Sequence, residues 1–167
     1  MRARWPLIGM AFGVATLVAP MVVAPSIRLV YNASDSAPRG WYRVSPATHF
    51  DVGDYVVTRL PKYTAALAAE RGYLPHSTPL LKQIAAVGGQ RVCVRDAVVS
   101  IDGVSVTRTL TADGTGRPLY AWKQCRMLFD DELFLLNPAH LGSFDSRYFG
   151  PIPRSAIIGQ VVPLWTE

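Results

Sequence analysis

Lys82 is one of only three lysines in the chain, and its setting, LLKQIAAVGG (80–89), carries no other charge. If 80–87 is a strand, the two-residue period puts Leu80, Lys82, Ile84 and Ala86 on one face. The other face carries Leu81, Gln83, Ala85 and Val87, so the lysine is a lone cation among apolar neighbours on either accounting. Burial disfavours an ammonium and lowers its pKa, by up to about 3–5 units for a fully buried group. An amine that is neutral near pH 7 can act as a general base. The competing reading is an edge-strand lysine that lays its stem on apolar surface, sends its head to water and blocks edge pairing.

A lysine base needs a nucleophile, and NASDSAPRGWYRV (32–44) offers Ser36. Pro38 biases Ala37 towards an extended conformation, which holds the backbone open and presents Ser36 on a turn. The Ser36 N–H can then face a substrate carbonyl as an oxyanion donor, and Ser34 can add a hydroxyl to the same hole. The competing reading is a plain linker of small polar residues. A third stretch, GSFDSRYFGPIP (142–153), sets Asp145 two residues from Arg147, so a strand would place them on one face within reach of an ion pair. Tyr148 and Phe149 supply bulk, and Gly150-Pro151 forces a turn. Here the competing reading is a surface loop.

Other chemistries find little footing. The histidines, at 49, 76 and 140, are dispersed, and HExxH, GxSxG, Walker and dinucleotide patterns are absent. Cys93 and Cys125 form no CxxC, so the sequence predicts neither a metal site nor a cofactor. In an exported domain they can form one disulfide, linking the strand after the lysine stretch to the loop 109–125. Closing about 30 residues would stabilise by about 3 kcal/mol on the chain-entropy model. Two buried thiols are the alternative.

The elements that must position these groups begin with Trp5–Ile27, 23 residues without a charge, long enough for a bilayer of about 30 Å. Arg2 and Arg4 before it, against Arg28 after it, favour a cytoplasmic N-terminus and an exported body. A cleavable signal peptide is the rival, with Val22 and Ala24 at −3 and −1, but Pro25 would then be a poor +1 residue. Pro20 and Pro25 are expected to kink or end the helix. The net charge of +5 draws on the three flanking arginines; residues 31–167 carry 14 basic and 12 acidic side chains and no basic stripe, which excludes nucleic-acid binding.

The body reads as mainly β. GDYVVTRL (53–60), 80–89, QRVCVR (90–95), 131–137 and 156–165 have strand character. AVVSIDGVSVTR (97–108) predicts a hairpin about Asp102-Gly103. The Ala-rich YTAALAAERGYL (63–74) is the clearest helix, and 109–125 is an excursion loop. An antiparallel β domain with short helical insertions follows.

The order of these parts, an anchor, Ser36-Ala37-Pro38, a strand lysine and then SFDSRYFGPIP, resembles the type I signal peptidase family of Ser-Lys proteases over most of residues 30–160. The closing box is the most specific match. LLKQIAAVGGQRV departs from the family's lysine box at Gln83 and at Gly89-Gln90, Ser-Ala-Pro is one residue shorter than the commoner nucleophile box, and NPAHLG replaces the usual lead-in to the last box. These departures and the small size are closer to the TraF-like conjugative-transfer branch than to the housekeeping enzyme. The resemblance implies an N-terminal anchor (1–30) and a signal-peptidase-like antiparallel β core (31–167) on the outer side of a bacterial inner membrane. It implies Ser36 as nucleophile and Lys82 as general base, with Ser34 and the Ser36 N–H as oxyanion donors. Ser143 would orient the lysine, and Asp145 with Arg147 would support the site. The implied partners are membrane lipid and a precursor protein, either a pre-pilin or another signal-peptide-bearing chain with small residues at −1 and −3. A housekeeping signal peptidase and a non-enzymatic β-module of pilus or secretion assembly are the alternatives. The lack of a DNA-binding segment disfavours a self-cleaving repressor.

Overall fold

The computed structural model describes residues 5–22, 27–35 and 37–166. A helix, α1 (Trp5–Val22), leads into two antiparallel sheets. The larger comprises β1 (Leu29–Asn32), β2 (Gly40–Ser45), β3 (Tyr55–Thr58), β4 (Leu80–Val87), β9 (Glu132–Leu136), β10 (Ile152–Pro153) and β11 (Ile157–Thr166), in the order β1-β2-β11-β3-β4-β9-β10. The smaller comprises β5 (Arg91–Arg95), β6 (Val98–Ile101), β7 (Val104–Arg108) and β8 (Cys125–Met127), in the order β7-β6-β5-β8. Two short helices, α2 (Lys62–Glu70) and α3 (Ser146–Phe149), complete the described elements with one 3-10 turn at Arg154–Ala156. The expected β-rich class and its helical insertions are both present.

Local sequence explains several of these elements. In β2, Tyr42 and Val44 turn inward while Trp41 and Arg43 face out, the period-2 signature of a half-covered strand. The β6–β7 hairpin turns as predicted: Asp102 and Gly103 both have positive φ, 49° and 85°, as a type I′ turn requires. β4 pairs with β3 on one side and β9 on the other, and its first three residues are all buried. Lys82 is therefore in an interior strand, which removes the edge-lysine reading.

Three expectations need correction. Residues 145–147 are not a strand: Asp145 is the N-cap of α3. A carboxylate there accepts from an orphan N–H at the helix start, here that of Arg147, which local extended pairing could not offer. α2 stops at Glu70, short of the expected residue 74. Cys125 lies not in the loop but on β8, directly across from Cys93 on β5, so the disulfide they form staples neighbouring strands of the small sheet.

α1 runs past Pro20 and ends at Val22; Pro25 lies outside the described residues. Among the described residues no helix is long and apolar enough to cross a membrane. The 18 residues of α1 extend about 27 Å. Trp5, Leu7, Ile8, Met10, Phe12 and Leu17 are all exposed along it.

The core has three parts. Tyr42, Val44, Val57, Leu81 and Val161 pack among β2, β3, β4 and β11. Phe50, Val56, Ile84, Leu133, Leu135 and Ile152 pack about β3, β4 and β9. Val92, Val94, Val99 and Ile101 of the small sheet close on Ala86, Phe134 and Leu136 of the large one. β4 and β9 are thus gripped from either face, which fixes the position of anything mounted on β4.

Candidate active site

Lys82 is only 2% exposed and lies within the apolar frame expected of it. Its Nζ donates to the Ser143 hydroxyl at 2.6 Å. Burial pulls the ammonium pKa down from 10.5 to about 8; the field of Asp145 opposes this and that of Arg147 adds to it. At pH 7 about a tenth of the amine is therefore unprotonated, far more than for a lysine in water. With an N–H committed to Ser143, the lone pair of the neutral form is left to point elsewhere.

Ser143 is itself fixed. Its N–H donates to the His140 carbonyl, and its own carbonyl accepts from Arg147 Nη2 at 3.0 Å. Arg147 is a buried hub, 0% exposed, as is Asp145. Its Nε and Nη2 each reach a different Asp145 oxygen at 2.8 Å, a bidentate pair. Its other donors satisfy the carbonyls of Arg108 and His140. The neighbouring Ser146 hydroxyl accepts the Leu135 N–H, which docks α3 on β9. Gly150 ends α3 with φ of 79°, and a Cβ there would lie 2.7 Å from the Trp122 indole, so only glycine allows this close turn. The predicted Asp145–Arg147 partnership is present, in a helix cap rather than on a strand face.

Opposite the lysine stands the turn between β1 and β2. Ser36 lies outside the described residues; the residues on both sides of it are described. Asn32, 6% exposed, is the hub of this turn. Its Nδ2 donates to the carbonyls of Ser34 (2.8 Å), Ala37 (2.8 Å) and Pro38 (3.1 Å). Its Oδ1 accepts from the Ser34 N–H at 3.3 Å and from the Ser34 hydroxyl at 3.0 Å. The Tyr42 hydroxyl donates to the Pro38 carbonyl at 2.7 Å, and Asn137 Nδ2 to the Asp35 carbonyl at 2.9 Å.

Between these two sides lies a cleft of about 550 Å³. Ser34, Asp35, Lys82 and Ser143 all line it; Tyr31, Tyr73, Leu74, Leu81 and Phe144 supply apolar surface. His140 also borders it. A cavity of about 690 Å³ between the β5–β6 turn and loop 109–123 holds neither Lys82 nor Ser143, so the larger space is not where the chemistry-bearing groups meet. Four of the sequence-predicted residues, Lys82, Ser143, Asp145 and Arg147, are thus brought together, and Ser34 lines the same cleft as Lys82 and Ser143. Sequence reasoning overlooked Asn32, Asn137 and Tyr42. The one available signal for Asn32 was an Asx residue two positions before a serine at a strand end.

Residues 1–165 match the family model "Signal peptidase, peptidase S26", and the chain belongs to that family. It is similar to three conjugation proteins in particular. The conjugal transfer protein TraF of Agrobacterium tumefaciens (strain 15955) is 34% identical, covering 99% of this chain and 96% of its own. The probable conjugal transfer protein TraF of Sinorhizobium fredii (strain NBRC 101917 / NGR234) is 38% identical over 77% of this chain and 72% of its own. The plasmid transfer protein TraF of Escherichia coli is 33% identical over 81% of each. A signal peptidase I from Enterococcus faecalis V583 aligns structurally over 69% of this chain and 97% of its own, at 18% identity and a TM-score of 0.41.

Proposed function

We propose that this chain is a membrane-anchored serine endopeptidase that processes an exported precursor, namely a pilin of a conjugative transfer system. The observation that carries the reading is the buried Lys82 amine, oriented by Ser143 at 2.6 Å in a cleft that Ser34 and Asp35 also line. Membership of the signal peptidase family supports the reaction class, and similarity to the TraF proteins supports the conjugation setting.

In this mechanism the Ser36 hydroxyl attacks a substrate peptide carbonyl while neutral Lys82 takes its proton. The Ser36 N–H and the Ser34 hydroxyl stabilise the oxyanion; the Ser34 proton, now directed at Asn32, swings to the substrate oxygen as charge develops. Lys82 returns the proton to the leaving amine, and water or the substrate's own N-terminal amine resolves the acyl-enzyme. Residues 1–30 hold the enzyme in the inner membrane with body 31–167 in the periplasm. The exposed apolar side chains of α1 support an environment other than water. Thr16 spends its hydroxyl on the Gly13 carbonyl at 2.9 Å, so even this polar group is satisfied within the helix.

Incubating the detergent-solubilised chain with the pre-pilin of its own transfer system, followed by intact mass, tests the proposal. Loss of the leader shows cleavage, and loss of one further water shows a ring. Ser36→Ala and Lys82→Ala should each abolish the product while remaining folded, and the double variant should lose little more than either single one. Processing retained by either single variant rejects the assignment.

A further inference from the structure

We infer that Asn32 and Asn137 are positioning residues that shape the nucleophile turn and set its distance from the lysine. The inference deepens the Ser-Lys reading and rests on it. Asn32 and Asn137 end β1 and directly follow β9, strands at different places in the large sheet. Each directs a side-chain amide at the backbone of the same five-residue turn.

The Asn32 contacts fix its orientation chemically. Three carbonyls, of Ser34, Ala37 and Pro38, surround Nδ2, and Oδ1 faces the Ser34 N–H. Carbonyls on both sides of position 36 thus converge on one amide group. The Ser34 hydroxyl is parked on Oδ1 of the same residue, which holds its side chain at the cleft wall. Asparagine is the one small residue that supplies both the donors and the acceptor; aspartate has the same shape and no donor.

Asn137 performs the second task. Its Nδ2 reaches the Asp35 carbonyl, and its backbone N–H donates to Asp145 Oδ2 at 3.1 Å. Asp145 holds Arg147, Arg147 holds the Ser143 carbonyl, and Ser143 accepts from Lys82. An unbroken hydrogen-bonded chain therefore runs from the residue before Ser36 to the amine that must take its proton. Asp35 and Asn137 are 102 residues apart in sequence, and this chain links them to the lysine.

The test uses the detergent-solubilised full chain and the pre-pilin of its own system, with kcat, KM, pH profile and melting temperature measured together. Asn32→Asp should lower kcat by about 100-fold or more, the scale set by a lost oxyanion donor or a 1 Å misplacement. Asn137→Ala, a truncation at a half-buried position, should lower kcat by about 10-fold. In Asn137→Ala the KM should stay within about threefold, the melting temperature within a few degrees, and the rate should still rise through about pH 8. Asn137→Gln, which keeps the donor, should recover part of the loss. An Asn137→Ala chain with kcat within twofold of the parent overturns the proposal, whether or not Asn32→Asp folds. So does a loss in Asn137→Ala that Gln does not rescue or that follows the melting temperature. If the parent chain leaves the pre-pilin uncut, the underlying Ser-Lys reading fails instead.

Discussion

The two sheets of the body are held together by different means. The small sheet buries Val92, Val94, Val99 and Ile101 against the large one and adds a covalent staple between β5 and β8. Near the far end of β9 and β4, the large sheet buries Lys82, Ser143, Asp145, Ser146 and Arg147, two of them at 0% and bearing opposite charge. Apolar burial of the first kind is additive and tolerant, because each side chain contributes through its own area. Burial of the second kind is conditional: every member needs its partners, and removing one strands another in a medium that cannot solvate it. A fold that only needed to be stable could have used the first device throughout. The second surrounds a lysine that is both dry and oriented.

The largest effect that would separate the two regions is removal of Asp145. Asp145→Ala leaves Arg147 charged, buried and short of three hydrogen bonds, an uncompensated state that costs about 3–5 kcal/mol. Denaturant unfolding of the full chain in detergent should show that loss, together with loss of processing. A loss below about 1 kcal/mol would mean that the ion pair does not support the site.

A smaller effect is expected from the staple. Cys93→Ala with Cys125→Ala, cysteines 32 residues apart, should cost about 3 kcal/mol through the freed chain entropy. Activity per folded molecule should be unchanged, since neither cysteine lines the cleft. A changed pH profile in this variant would show that the two sheets are coupled more tightly than their packing implies. Two alkylatable thiols in the native, unreduced chain would show that no staple forms.

The same contrast explains what could be read from the sequence. The β6–β7 hairpin was legible because Asp102-Gly103 and the alternation around it act over a few residues. The apolar setting of Lys82 was legible for the same reason. The interior place of β4 was not, because it depends on β9 arriving from some 50 residues away, and β11 inserts between β2 and β3 from the far end of the chain. β2 carries little signal in the sequence, because Arg43 and Trp41 mask the inward pair Tyr42 and Val44. Asp145 and Arg147 were paired correctly on the wrong local geometry, since two-residue spacing suits a strand face and an N-cap reaching the second helical residue alike. Asn32 gave almost no signal: a buried asparagine becomes visible only when the three carbonyls that it satisfies are seen to converge.

The pH dependence is the effect most specific to the lysine. With its pKa near 8, the Lys82 amine should make the processing rate rise with pH through about 8 and level off above it, because the ammonium cannot accept the serine proton. Stability should follow the same group. Unfolding returns the lysine to about 10.5, so between about 8 and 10.5 the unfolded chain binds more protons than the folded one, and stability increases with pH across that window. Below about 8 both states are charged, and the fold carries the full cost of a buried ammonium, on the order of 3 kcal/mol for a shift of this size. Lys82→Met should therefore be inactive yet at least as stable as the parent at pH 7, with the slope between pH 8 and 10 removed. Ser143→Ala should retain a rate that rises well below 10 but at a level about 10-fold lower, since desolvation survives while orientation is lost. A Lys82→Met chain that keeps the parent's slope, or a Ser143→Ala chain with parental rate, would show that the amine is neither the titrating group nor held by its neighbour. The buried polar cluster would then need another reason to exist.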